Sequence, residues 1–365
     1  MKLPSTLAAC ACTALACNTP VFAQSSVTLY GLVDSGLTYV NNAGGKSLVS
    51  ATSGNEQGSR VGFLGREDIG GGNSIVFKLE NGFNIENGAL GQGGRMFGRQ
   101  AWVGVTNRSF GTLSMGRQYN SIQENLQELS IAGSSLVSQY GMHPFDTDAL
   151  NNTFRTNNTV KYVSPVVSGF RADALYGFSN SSNFGANRSW SVGAQYKAGP
   201  VSLGVAYANM NNPGANSAGA VASDNYYTFV SGVNQQQIWG AGAIYDFGPA
   251  SVGLLYTNTL FKLNTGATRD YTNYETSLRY RPSATTNVTL GETYTSARVS
   301  SGAPRSAHYW QSSFGVQYYL SKRTDLYANA FYQRSTANTV AAIEGVAAST
   351  TRAQLVAVVG VRSKF

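Results

Sequence analysis

From Val27 onward the chain is written in short segments whose apolar and polar positions alternate with a period of two. Val27, Leu29, Val33 and Leu37 share one parity, and Thr28, Asp34 and Thr38 the other. Val201, Leu203, Val205 and Tyr207 stand against Ser202 and Gly204, and Tyr274, Thr276, Leu278 and Tyr280 against Asn273, Glu275, Ser277, Arg279 and Arg281. Odd positions carry the apolar set from Trp239 to Phe247, and even positions carry it from Val252 to Tyr256 and from Phe314 to Leu320. The chain closes the same way, Leu355, Ala357, Val359 and Val361 opposing Gln354, Arg362 and Lys364 before a final Phe365. Successive side chains of a strand point to opposite faces, so each segment predicts a strand with one apolar and one polar face.

The connections come in two sizes that alternate. Seven are short: "EDIGGGN", "NRSFG", "SPVVSG", "AGP" at 198 to 200, "FGP" at 247 to 249, "RPSATT" and "LSKRT". Eight are longer and polar, near 41 to 57, 86 to 95, 121 to 154, 180 to 188, 210 to 236, 262 to 270, 299 to 307 and 335 to 351. Fifteen connections join sixteen strands, with both termini on the short-turn side. A soluble sandwich hides its apolar face in a core and has no need to gather its long loops at one end. A membrane barrel needs both features, because lipid offers no hydrogen-bond partner to an open strand edge. The pattern therefore predicts an all-β chain, a 16-stranded antiparallel transmembrane β-barrel with short periplasmic turns and long extracellular loops. Sixteen strands enclose an aqueous channel where eight would be filled by side chains. Tyr39, Phe247, Tyr318 and Phe365, near strand ends, suit the two interfacial aromatic girdles.

Composition sharpens this. Charged residues make up only 12% of 365, Gly contributes 41 and aromatics 12%, which points away from a helical enzyme. Cys10, Cys12 and Cys17 are the only cysteines, and all lie in a start that reads as a secretory signal: Lys2, an apolar stretch from Leu7 to Ala16, and Val21-Phe22-Ala23 as cleavage site. The expected division is a signal peptide over 1–23 and a barrel domain over 24–365, exported and without disulfides. A formal net charge of +8 would suggest nucleic acid in a cytosolic protein, but export argues against that partner. No run of eighteen apolar residues follows residue 23, so no transmembrane helix is expected.

Several stretches, "SVTLYGLVDSGLTYV", "SRVGFLGREDIGGGNSIVFKLENGF", "FGTLSMGRQYN", "NNTVKYVSPVVSGF" and the terminal "VVGVRSKF", together resemble the general porins of Gram-negative outer membranes, especially those of β-proteobacteria. The resemblance covers nearly the whole chain beyond the signal. It implies a homotrimer of sixteen-stranded barrels in the outer membrane, each with its third long loop folded into the pore as a constriction. It also implies that Phe365 belongs to a signal read by the outer-membrane assembly machinery. The partners expected are two further copies of the chain, outer-membrane lipid and lipopolysaccharide, and that machinery. No cofactor, metal or catalytic residue is expected.

The third long loop, 121 to 154, is too long to be structureless unless it is functional. Within it "SIQENLQEL" has helical spacing, with Ser121 as cap, Glu124 completing a capping box, and Ile122, Leu126 and Leu129 on one face. Glu124 and Glu128 then project one turn apart, either as a solvated helix face or as the acidic side of the pore, where the family places acids. Opposite them the family carries wall arginines, which match Arg60 in "SRVGF", Arg117 in "MGRQY" and Arg155 before "TNNTVKY". Arg155 and Lys161 share parity with Asn157 and Thr159, which places them in the lumen independently, and Arg60 opposes Val61 and Phe63. Arg117 shares parity with Leu113 and Met115, which only a bulge or shielding by the loop reconciles. With Arg66, Arg279, Arg281, Arg362 and Lys364 also on polar parities, the lumen should be positive and mildly anion-preferring. Two departures from the family stand out: the acidic loop reads "HPFDTD", and a first-strand basic position is Leu32, with Asp34 facing the same side.

Other chemistry finds little support. His143 and His308 fall in or beside long loops with no evident Ser or strand-borne acid beside them, and no G-x-S-x-G occurs. Asp146 and Asp148 fall short of the six oxygens calcium takes, and the Gly pairs at 44, 71 and 93 lack the strand-to-helix setting of a phosphate cradle. The leading expectation is a passive channel for small hydrophilic solutes and ions. A solute-specific channel would show saturable block, and an adhesin would lose binding with residues 210 to 236.

Overall fold

The computed structural model describes residues 25–134, 136–151, 154–300, 305–336 and 338–365. The expected signal segment, 1–23, lies outside them. One antiparallel sheet runs through the chain: β1 (Ser26–Ala43), β2 (Lys46–Ser53), β3 (Arg60–Gly70), β4 (Asn73–Gly82), β5 (Gln100–Asn107), β6 (Gly111–Gln118), β7 (Thr156–Val163), β8 (Phe170–Gly177) and β9 (Ser189–Ala198). It continues through β10 (Val201–Asn211), β11 (Val233–Asp246), β12 (Ala250–Leu263), β13 (Thr268–Ser283), β14 (Thr286–Ser300), β15 (Arg305–Tyr319), β16 (Thr324–Ser335) and β17 (Ala353–Lys364). β17 pairs with β1, Leu32 opposite Lys364 and Val40 opposite Val356, so the sheet closes on itself. β1 also pairs with both β2 and β3, which are two halves of one wall strand, and the wall therefore has sixteen positions. No described helix is long and apolar enough to cross a membrane.

The wall is turned inside out relative to a soluble protein. Val27, Leu29 and Leu37 are 64%, 56% and 59% exposed, whereas Asp34 on the opposite parity is 0% exposed. Asn273, Thr289, Gln311, Gln317 and Gln333 are likewise buried on the inner face. Lipid can wet the first set and water or protein the second, which is the arrangement a bilayer requires. The four aromatics expected at girdles, Tyr39, Phe247, Tyr318 and Phe365, all face outward. A further outer row runs strand to strand as Trp239, Tyr256, Tyr274, Tyr294 and Trp310, successive ring centroids lying 4.8, 5.2, 6.3 and 5.0 Å apart. Phe365 seals the seam: its backbone exchanges two 3.0 Å hydrogen bonds with Gly31, and its ring lies where a Gly31 side chain would stand.

Two expectations about connections are corrected. The stretch 41 to 57 is no long loop: β1 turns at Gly44-Gly45, both at positive φ, directly into β2, and the break falls later, at 54–59. The stretch near 262 to 270 is likewise a tight turn between Leu263 and Thr268.

The lumen is not polar throughout. On one side Ile122, Leu126, Leu150, Phe154, Val221 and Tyr227 pack into an apolar cluster against inward positions of β10–β13 such as Ile238 and Phe261. On the other, Ile131, Val137, Tyr140 and Ile343 pack on Val40, Phe331 and Val356. Loops folded into the barrel supply the covering residues, and each fully buried large side chain contributes about 1.5–3 kcal/mol to holding them there.

Candidate functional site

The third long connection, between β6 and β7, opens with a short helix, α1 (Ser121–Leu126), continued by a 3-10 turn over Gln127–Leu129. Ile122, Leu126 and Leu129 are buried as the helical spacing requires. The cap stands one residue earlier than the sequence suggests: Asn120 accepts from the Ile122 N–H, and Gln123 completes the capping box in place of Glu124. Ser121 turns instead to Asp173 and Ser191 on the wall. The helix can lie this close because glycines stand beneath it: a Cβ on Gly204 would stand 2.3 Å from the Asn125 carbonyl, and one on Gly193 would collide with the Asn125 side chain.

Buried polar contacts hold the rest of the loop. Glu275 Oε1 accepts from the Ile131 N–H at 2.8 Å, and Gln311 donates to the carbonyls of Tyr140 and Met142, both at 3.1 Å. His143 sits between two carboxylates, Nδ1 2.6 Å from Asp148 and Nε2 3.1 Å from Glu275. The expectation that His143 has no strand-borne acid beside it is therefore wrong: Glu275 lies on β13. Burial alone would lower the His143 pKa, but the carboxylates of Asp148 and Glu275 outweigh it and raise the ring to about 10. Asp148 is correspondingly held below its ordinary value despite its burial, with His143 and a hydroxyl donated by Thr257 as the causes. Both ring nitrogens are occupied by carboxylates, so the imidazole takes no proton from a nucleophile. Its part is to tie the loop to the wall.

Beside this loop lies a cavity of about 650 Å³. Arg60, Arg99, Arg155 and Arg279 border it, together with Tyr119, Glu56 and Glu128. Arg99 donates to Glu80 at 2.7 Å and to the Tyr119 hydroxyl at 3.1 Å, and the Arg155 guanidinium lies 5.3 Å from the Tyr119 ring centroid. Burial pushes the Tyr119 phenol up, but Arg99 and Arg155 more than offset it, so its pKa falls below the ordinary value. Arg99 and Arg155 thus stand at one ring, Arg60 adds to their effect on it and Glu80 opposes them, an excess of positive charge beside the opening.

The sequence-selected residues divide. Arg60, Arg155 and Glu128 border the cavity. Lys161 does not: it is buried and paired with Glu124 at 2.6 Å, behind the helix. Glu124 is also 3.9 Å from Arg171, so it faces the wall, while Glu128 is open and pairs with Lys197 at 2.6 Å. Arg117 is buried and donates to the Gly98 carbonyl and to Asn157. A register shift between Gly116 and Gln118, with Gly116 at φ +136°, supplies the bulge its parity demanded. Asp34 is wholly buried and accepts from backbone N–H groups. Of the other basic positions assigned to the lumen, Arg362 is buried against Asp325 at 3.0 Å, whereas Arg281 is exposed at a turn beside Gly248. Sequence reasoning missed Arg99 and Glu56. Arg99 stands immediately before β5, where alternation has not begun.

A closed sixteen-position barrel with an apolar exterior and a basic internal opening defines a transmembrane channel fold. The comparisons with known proteins agree. Residues 6–338 match the Gram-negative porin family, and the chain belongs to it; its place is the Gram-negative outer membrane. It is 34% identical over 219 residues to an outer membrane porin protein of Bordetella pertussis, a match covering 52% of this chain and 55% of the relative. It is 31% identical over 229 residues to outer membrane porin protein 32 of Delftia acidovorans, covering 58% and 60%. The chain thus spans little more than half the length of these relatives. An anion-selective porin from Comamonas acidovorans superposes with a TM-score of 0.77 at 25% identity, covering 94% of this chain and 100% of that one.

Proposed function

We propose that the chain forms a water-filled channel for passive diffusion of small hydrophilic solutes and ions, with a mild preference for anions, and that it works as a homotrimer. The observation carrying this reading is the cluster of Arg60, Arg99 and Arg155 bordering an internal opening whose acidic members, Glu56 and Glu128, are fewer. Fixed guanidiniums raise the local anion concentration and repel cations, and low-dielectric walls strengthen the effect. Arg60 and Arg155 set the charge of the opening, and Glu128 tempers it. Arg117, Lys161, Glu124 and Asp34 hold the surrounding backbone in place. The similarity to a porin titled anion-selective supports the same sign. Phe365 serves as the assembly signal, and the lipid and lipopolysaccharide of the outer membrane wet the apolar wall. No catalysis is assigned.

The test is reversal potential across a planar bilayer in a salt gradient. Arg60→Ala combined with Arg155→Ala should move the anion-to-cation permeability ratio toward unity or below. An unchanged ratio removes the assignment.

A further inference from the structure

The break between β2 and β3 is an inserted shelf inside the barrel. Ser53 pairs with Ser35, and Arg60 pairs with Leu32. Six residues, Gly54 to Ser59, therefore stand opposite only two, Val33 and Asp34, and the surplus chain has to leave the ladder. It leaves inward: Gly54, Asn55, Glu56, Gln57 and Gly58 all border the cavity that the third loop borders from elsewhere.

The shelf is organised by Asp34. Its carboxylate accepts from the N–H groups of Glu56 and Gln57 at 2.8 and 2.9 Å, and its carbonyl accepts from the Gly54 N–H at 2.8 Å. Its own N–H donates to the Ser59 hydroxyl at 3.1 Å. The Tyr327 hydroxyl donates to the second carboxylate oxygen at 2.6 Å and accepts from Asn55 at 3.1 Å. At the far side the Asn55 carbonyl accepts from the Gln139 N–H at 2.7 Å, so the third loop leans on the shelf. A Cβ on Gly58 would meet one atom within 4 Å, Arg99 Nη1 at 3.2 Å, which places the tip directly against the basic cluster.

We propose that this shelf, positioned by Asp34, is a second constriction element that sets the width of the opening. The inference rests on the channel reading above. Asp34 is a positioning residue, since its carboxylate reaches the opening only through the backbone it holds.

Excising Asn55–Gly58 removes four residues, an even number, and leaves Gly54 and Ser59 opposite Asp34 and Val33 in a continuous ladder. Single-channel conductance should then rise about 1.5-fold, and liposomes should admit larger neutral sugars. Gly58→Phe, which leaves the ladder alone, should cut conductance about twofold by placing a ring in the cavity beside Arg99. Asp34→Asn, which cannot accept from both N–H groups and Tyr327 together, should give a noisier current. Parent conductance and sugar cut-off in the excised protein and in Gly58→Phe overturn the shelf. A quiet parent-like current in Asp34→Asn overturns the role of Asp34. An unaltered protein that passes no current refutes the channel reading itself, which is a separate result.

Discussion

The anchoring of the third loop by a buried histidine between two carboxylates can be tested by graded removal. Glu275→Gln keeps one oxygen for the Ile131 N–H but loses the charge that faces His143. A hydrogen bond to a charged group contributes about 1.5–3 kcal/mol, so about 2 kcal/mol should be lost and loop opening should become about thirtyfold more frequent. His143→Ala leaves Asp148 and Glu275 buried without their cation, a loss of about 4 kcal/mol and nearly a thousandfold more opening. Leu150, 4% exposed in the loop, supplies the probe. In a Leu150→Cys background, thiol labelling occurs only from the opened state, and its rate follows the opening equilibrium. The raised His143 pKa means its contribution is complete below the ordinary histidine range and lost as pH climbs through about 10. The lowered Asp148 pKa means its contribution holds above the ordinary aspartate range and is lost as pH falls below it. Labelling, normalised for the thiolate fraction of the probe, should therefore be slow and flat from about pH 5 to 6.5, rise by up to about tenfold per pH unit from there until it levels near 10, and rise again below the ordinary aspartate range. Equal labelling in all three proteins, or a rise already complete at the ordinary histidine value, refutes the anchor.

Other expectations are simpler. Lys161→Ala combined with Glu124→Gln should leave ion preference nearly unchanged, because the two charges, 2.6 Å apart, sum to zero; a shift as large as that of the Arg60 and Arg155 variants contradicts the placement of the pair behind the helix. Glu292 faces outward on β14, where it accepts from the Ser312 hydroxyl at 2.6 Å beside the exposed Leu290 and Phe314. A carboxylate on a lipid-facing wall is unfavourable, so Glu292→Leu should raise the heat-denaturation midpoint in lipid by about 2 °C or more. Deleting Phe365 removes two seam hydrogen bonds and a ring from Gly31, and should lower the yield of folded barrel in refolding into lipid.

The barrel was legible because lipid imposes one rule on every strand: apolar outward, with the sheet closed. Leu37 and Thr38 or Tyr274 and Glu275 declare it locally. Where the lumen is filled by the protein's own loops the rule weakens, and inward positions such as Ile238 and Phe261 become apolar. Parity then says which face a residue occupies but not what it touches. Arg60 and Arg155 were recoverable, each from motif and from alternation. Lys161 was placed on the correct face, yet its partner comes from a loop whose docking no local pattern encodes. The shelf escaped because "GNEQGS" reads as a loop tip; its inward course is set by Asp34, some twenty residues away, and by Tyr327 at the opposite end of the chain.

The most direct measurement is the current of the unaltered protein in a planar bilayer under a salt gradient. Stepwise ohmic conductance with a reversal potential of the sign for anion preference is the predicted result. A bilayer that stays electrically silent, or a potential of cation sign, contradicts a closed barrel with solvent held against Arg60, Arg99 and Arg155.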